Sequence, residues 1–173
     1  MSIHEITSAQ FELAIEQINS ARQYSLSLIE DIDESDWFVQ PGGSPTHVAW
    51  EVGHLAMAEY GLGLFRQRGR VSEDTELMPS RFRKAFQRGS TPSPDPESYP
   101  TPSAIVDTLN QVHSQFLVER EQWTLEELQQ EIDQPYAVYP NRLGALLFCA
   151  HHEMLHAGQI GLLRRLLGKD PVR

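Results

Sequence analysis

Apolar positions recur at helical spacing along most of the chain. Phe11, Ala14, Ile15, Ile18, Ala21, Leu26 and Ile29 form the first stripe, and Thr7 with Gln10 before it are the two ends of a capping box. This pattern predicts a helix over residues 8 to 31. The acidic run Asp31, Asp33, Glu34, Asp36 then reads as a solvated connector. Pro41-Gly42-Gly43 is a break, and Ser44 followed by Pro45 is a cap and first-turn pair. A second helix is expected over 45 to 67, ending near Gly69. Gly53, Gly61 and Gly63 weaken it locally and leave room for close packing or for a ligand.

Residues 69 to 102 carry prolines from Pro79 to Pro102 and read as a long crossover with one short helix near 79 to 87. Ser103 is expected to cap a third helix with Ile105, Val106, Leu109, Val112, Phe116 and Leu117 on one stripe. Thr124 and Glu127 form a second capping box that opens a short helix through Gln130. Residues 134 to 140 read as a loop. Asn141 caps a fourth long helix to Leu167, with Gly168 just beyond it and Pro171 following. With no strand pattern, the expected fold is all-α: a four-helix bundle in one domain over residues 1–173, with a long crossover between helices two and three.

Composition narrows the functional classes. The 173 residues are 40% hydrophobic and 22% charged, ordinary for a globular domain. The net charge of -10 repels phosphate backbones, so no nucleic-acid partner is expected. Cys149 is the single cysteine, which excludes an internal disulfide and suits a reducing compartment. The N-terminal MSIHEITSAQFELAIEQ lacks the pattern of a signal peptide. No window offers the roughly 20 apolar residues that cross a bilayer. A cytoplasmic protein without membrane contact is expected.

The histidines carry the candidate chemistry. His152 and His156 are four residues apart on the fourth helix, about 40° around its axis and about 6 Å along it, so their imidazoles can converge on one ion. His151 lies about 140° from His156 and is the poorer ligand. A metal centre with an open position usually takes three protein ligands. His54, in the middle of the apolar second helix, is the candidate third; the competing reading is a core histidine hydrogen-bonded to a carboxylate or carbonyl. His152-Glu153-x-x-His156 also spells the zincin protease motif, but only Asp170 follows as a downstream ligand and no strand is there to bind a peptide. Glu153 therefore reads as a supporting or surface group rather than a base. Around the site, His47, Trp50 and Gln159 are candidate pocket residues, each with a plain structural alternative. Arg142, Tyr136 and Tyr139 could meet a polar substrate tail, and Arg81, Arg83, Lys84 and Arg88 an anion. Cys149 reads as a buried, inert thiol, and Arg164 and Arg165 as partners of the negative helix terminus.

Two blocks resemble the DinB-like superfamily, also called the YfiT-like metal-dependent hydrolases. They are Trp50-x-x-Gly53-His54-Leu55-Ala56-x-Ala58-Glu59 and His152-Glu153-x-x-His156-Ala157-Gly158-Gln159-Ile160, running into Leu163-Arg164-Arg165-Leu166-Leu167-Gly168. The resemblance implies a four-helix bundle with one divalent ion, zinc or nickel, on His54, His152 and His156, and a homodimer. Characterised relatives include thiol S-transferases that use bacillithiol, mycothiol-dependent maleylpyruvate isomerase, and the N-terminal domain of ergothioneine sulfoxide synthases. The catalytic domain of those synthases is missing here, so their activity does not carry over. The expected function is metal-assisted chemistry on a small molecule, either transfer from a low-molecular-weight thiol or hydrolysis. The alternative is a metal-binding or dimeric interaction module without turnover.

Overall fold

The computed structural model describes residues 6–133 and 139–172. Among these residues eight α-helices follow in order: α1 (Ser8–Ile29), α2 (Val48–Glu59), α3 (Arg66–Arg68), α4 (Asp74–Leu77), α5 (Ser80–Phe86), α6 (Pro102–Glu119), α7 (Leu125–Gln129) and α8 (Arg142–Leu166). A π-helical stretch, Tyr60–Phe65, joins α2 to α3 without a break. Among the described residues the only strand-like pairing is one bridge between Glu131 and Asn141, and no helix is long and apolar enough to cross a membrane.

Local chemistry sets the helix starts. The capping boxes of Thr7 with Gln10 and Thr124 with Glu127 both form, and Asn141 Oδ1 accepts from the Gly144 N–H. Two expected caps are corrected. Ser44 does not start α2: its hydroxyl turns back to accept from the Thr46 N–H, and His47 caps instead, its Nδ1 accepting from the Trp50 N–H at 3.1 Å. Ser103 does not start α6: Thr101 accepts from the Ala104 N–H and leaves Pro102 at the first helical position, where its missing N–H costs nothing. Gly69 and Gly168 end their helices at φ 81, as glycine permits. The connection from α3 to α6 holds the expected short helix, α5, and a second one, α4. The 134–140 loop and Tyr136 fall on or beside residues 134–138, which lie outside the described ones.

α1 packs along α8, and α2 packs on both α6 and α8. Ile18, Leu28, Leu55, Ile105, Leu109, Phe116, Leu143 and Ile160 fill the centre and are almost fully buried. Within this apolar core sits a charged knot. Arg22 of α1 donates from Nε to Glu153 Oε1 at 2.7 Å, from Nη2 to Glu59 Oε2 at 2.8 Å, and from Nη1 to the Leu109 carbonyl at 3.2 Å. His113 of α6 meets the other oxygen of Glu59 at 2.6 Å. The knot thus ties α1, α2, α6 and α8 together. Burial alone would push the Glu59 pKa up, but Arg22 and His113 outweigh it and hold the carboxylate ionised. Glu153 is therefore neither at the surface nor a base: its carboxylate is committed to Arg22.

At the far end, buried Arg164 donates to the Leu28 carbonyl at 2.7 Å and to the Asp31 carboxylate, fastening the end of α1 to the end of α8. Asp33 meets Lys169 at 3.1 Å. The acidic connector is solvated, yet two of its carboxylates have cationic partners.

Candidate metal centre

α2 contributes His54 and α8 contributes His152 and His156. One ring nitrogen from each lies within 4.8 Å of the other two, a grouping that could hold a metal ion. The ring centroids are 4.8 Å apart for His54 and His156, 5.3 Å for His54 and His152, and 4.5 Å for His152 and His156. The α8 pair converges for the reason the four-residue spacing predicts. His54 reaches them because α2 packs directly on α8.

Two of the rings are oriented from behind. His54 Nδ1 lies 2.7 Å from the Phe86 carbonyl oxygen. A carbonyl only accepts, so Nδ1 carries the proton and Nε2 keeps its lone pair. Phe86 comes this close because residue 53 is glycine: a Cβ there would sit 2.4 Å from the Phe86 ring. His156 Nδ1 lies 2.5 Å from Glu51 Oε2, and the Thr46 hydroxyl donates to Glu51 Oε1 at 2.6 Å. This carboxylate–imidazole arrangement behind a ring is the usual support of a metal-bound histidine. His152 has no such support, and its Nδ1 is buried without a hydrogen-bond partner. A buried imidazole nitrogen left unpaired is costly in a protein interior.

Burial, with the neighbouring His156 and His54, pushes the His152 pKa down to about 4. His54 is also lowered, chiefly by burial. At neutral pH these two rings are uncharged and their nitrogens are available as donors. The donor set fits a divalent ion such as zinc or nickel: three imidazoles, two of them with tautomers fixed from behind, and no fourth ligand in the group among the described residues.

Trp50 stacks on His54 at 4.8 Å with an interplanar angle of 6°, and its indole N–H donates to Ser90 Oγ at 2.9 Å. Beside the histidines opens a cavity of about 480 Å³ into which His54 and His152 face. Met57, Leu62, Phe65 and Phe148 give it apolar walls, and Arg66 and Arg88 are its charged lining. A larger groove of about 730 Å³, lined by Glu73, Asp107 and Glu119 among others, holds none of the three histidines.

The remaining candidates fall elsewhere. His47 is fully buried at the start of α2 between Phe38 and Tyr99 and does not line the cavity. Gln159 is exposed and does not line it either, nor do Tyr139 and Arg142. Of the basic residues in the crossover, Arg88 reaches the cavity; Arg81, Arg83 and Lys84 do not. Cys149 is buried, and burial together with Glu59 and Glu153 raises its pKa well above the thiol range. It stays a thiol and is no nucleophile. Glu51, Phe86 and Arg66 were missed from sequence. Glu51 left a signal, since it lies three residues before His54 and so on a neighbouring part of the same apolar helix.

A family model described as the DinB superfamily matches residues 17–160, a span that includes all three histidines. No curated protein is significantly similar to the chain.

Proposed function

The chain belongs to the DinB superfamily, and from that premise we propose that it is a metal-dependent enzyme acting on a small molecule, with one divalent ion on His54, His152 and His156. The long helices α1, α2, α6 and α8 make the family's four-helix bundle, with residues 69–101 as its crossover. The observation that carries this reading is the mutual approach of one nitrogen from each of the three rings within 4.8 Å, two of the rings oriented from behind by Phe86 and Glu51. An ion there supplies an open coordination position that lowers the pKa of a bound thiol or water.

The chain's own residues favour thiol transfer over hydrolysis. Hydrolysis usually needs a positioned base for the attacking water. Among the described residues the cavity lining offers no carboxylate, serine or cysteine; Glu51 and Glu153 are both engaged by other partners. The nucleophile then comes with the substrate, as a low-molecular-weight thiol. Trp50 covers one face of His54, and Met57, Leu62, Phe65 and Phe148 keep water away from the reacting atoms. Leu155, Leu162 and Leu166 are exposed along α8 and offer a face to a second copy.

The test is direct. Protein loaded with zinc or nickel should hold one ion per chain and consume a small thiol in the presence of an epoxide, and His156→Ala should lose both properties. Full metal occupancy with no thiol consumed and no ester hydrolysed would leave a metal-binding module without turnover. Wild-type protein that takes up no metal would sink the reading altogether.

A further inference from the structure

We propose that the small molecule admitted to the 480 Å³ cavity carries a compact oxyanion, a carboxylate or a phosphate, and that Arg88 and Arg66 hold it. This rests on the metal-centred reading of the same cavity and names the class of molecule it takes.

The first observation is a local reversal of sign. The chain carries a net charge of -10. Yet among the described residues the cavity's charged lining consists of two guanidiniums and no carboxylate, beside the imidazoles of His54 and His152. Guanidinium presents paired N–H donors that match the two oxygens of a carboxylate or phosphate.

The second observation concerns how Arg66 arrives there. Twelve residues separate it from His54. In an unbroken α-helix that interval would turn Arg66 about 120° away from the direction of His54. The π-helical stretch Tyr60–Phe65 absorbs one extra residue and brings the difference to about 20°. π-helical stretches of this kind recur at functional sites. Arg66 is held in place there by donating from Nη1 to the Asp133 carbonyl at 2.9 Å.

The third observation is the position of Arg88. It lies two residues beyond Phe86, whose carbonyl fixes the His54 ring, and just before Gly89, where the chain turns at φ 86. The segment that orients the ligand thus also carries the cation. Phe148 and Met57 line the same cavity as the two arginines, so the molecule that fits is apolar in its body and anionic at one end.

Chelator-treated full-length protein, titrated calorimetrically with hexanoate, hexyl phosphate and hexanamide, tests this without any ion to attract the anions. At least one of the two anions should bind tenfold or more tighter than the neutral amide, about the contribution of one charge-assisted contact. Whichever anion leads identifies the head group. Arg88→Gln should abolish the preference while leaving amide binding and zinc uptake intact; Arg88 is exposed, so this variant keeps the fold. Arg66→Gln should reduce it in the same direction. Equal affinity for all three compounds, or a preference that survives Arg88→Gln, overturns the proposal. Anion preference in protein that takes up no zinc would sink the metal reading alone. Full zinc uptake without anion preference would sink this one alone.

Discussion

Glu51 sets the order of the histidine cluster without lining the cavity. It is fully buried, receives the Thr46 hydroxyl on one oxygen and faces His156 with the other. Glu51→Gln replaces a carboxylate with an amide that cannot offer an acceptor on both sides. Its metal affinity should fall about 10- to 100-fold, read by competition with a chromophoric chelator. Thr46→Val should shift it in the same direction by less. At this scale the sequence was readable where geometry is local: residues 152 and 156 share a helix face by arithmetic alone. His54 could not be joined to them by spacing, because its partners lie on another helix; its apolar setting made it the candidate third ligand, and the resemblance strengthened the link. The Phe86 carbonyl left no trace at all, since a backbone acceptor has no residue type to recognise.

The helices show the same division. Thr7 with Gln10, Thr124 with Glu127, and Asn141 act within four residues, and all three caps form as expected. Ser44 and Ser103 had equally good credentials and lost to His47 and Thr101, because neighbouring side chains compete for one helix start. Gly61 and Gly63 read as weak helix formers that leave room for packing or a ligand, and Gly61 does line the cavity while Gly63 packs closely on Phe116; that both sit in a π-helical stretch was not legible. Arg22 falls in the first apolar stripe at residue 22, between Ile18 and Ser25, and a charge in that register is the signal for a buried partner. Arg22→Met leaves Glu59 and Glu153 buried without their cation and should cost about 3–5 kcal/mol in urea unfolding. A second junction, between the crossover and α6, is sensitive to alkali. Tyr60 donates to Asp74 at 2.9 Å, and Arg68 bridges Asp74 to Glu119. Burial and the Asp74 carboxylate push the Tyr60 pKa from 10.0 up to about 12. The fold therefore favours the neutral phenol. This stabilisation is whole below pH 10, where the unfolded chain is also protonated, and is lost as pH rises towards 12. Tyr60→Phe should flatten the alkaline limb of a stability-versus-pH curve, and the phenolate absorbance of the folded protein should rise late.

For the whole molecule, the three donors come from two separate helices, α2 and α8. An ion that binds only the folded chain adds to stability by mass action. Zinc at about 100 times its dissociation constant should contribute about 2.7 kcal/mol. A rise in melting temperature with zinc, absent in His156→Ala, is the expected result of a thermal scan. The net charge of -10 masks the two cavity arginines in the total; Arg88 was legible only as one of a basic group in the crossover, and Arg66 was not singled out. One consequence follows from the reach of the 80–90 segment, which holds the His54 ring through Phe86 and edges the opening with Arg88. Latch and doorpost are the same piece of chain. With an ion on His54, any outward swing of this segment wide enough to let cargo pass would also slacken one finger of the grip on it, so traffic through the opening and tenure of the metal would be geared to each other.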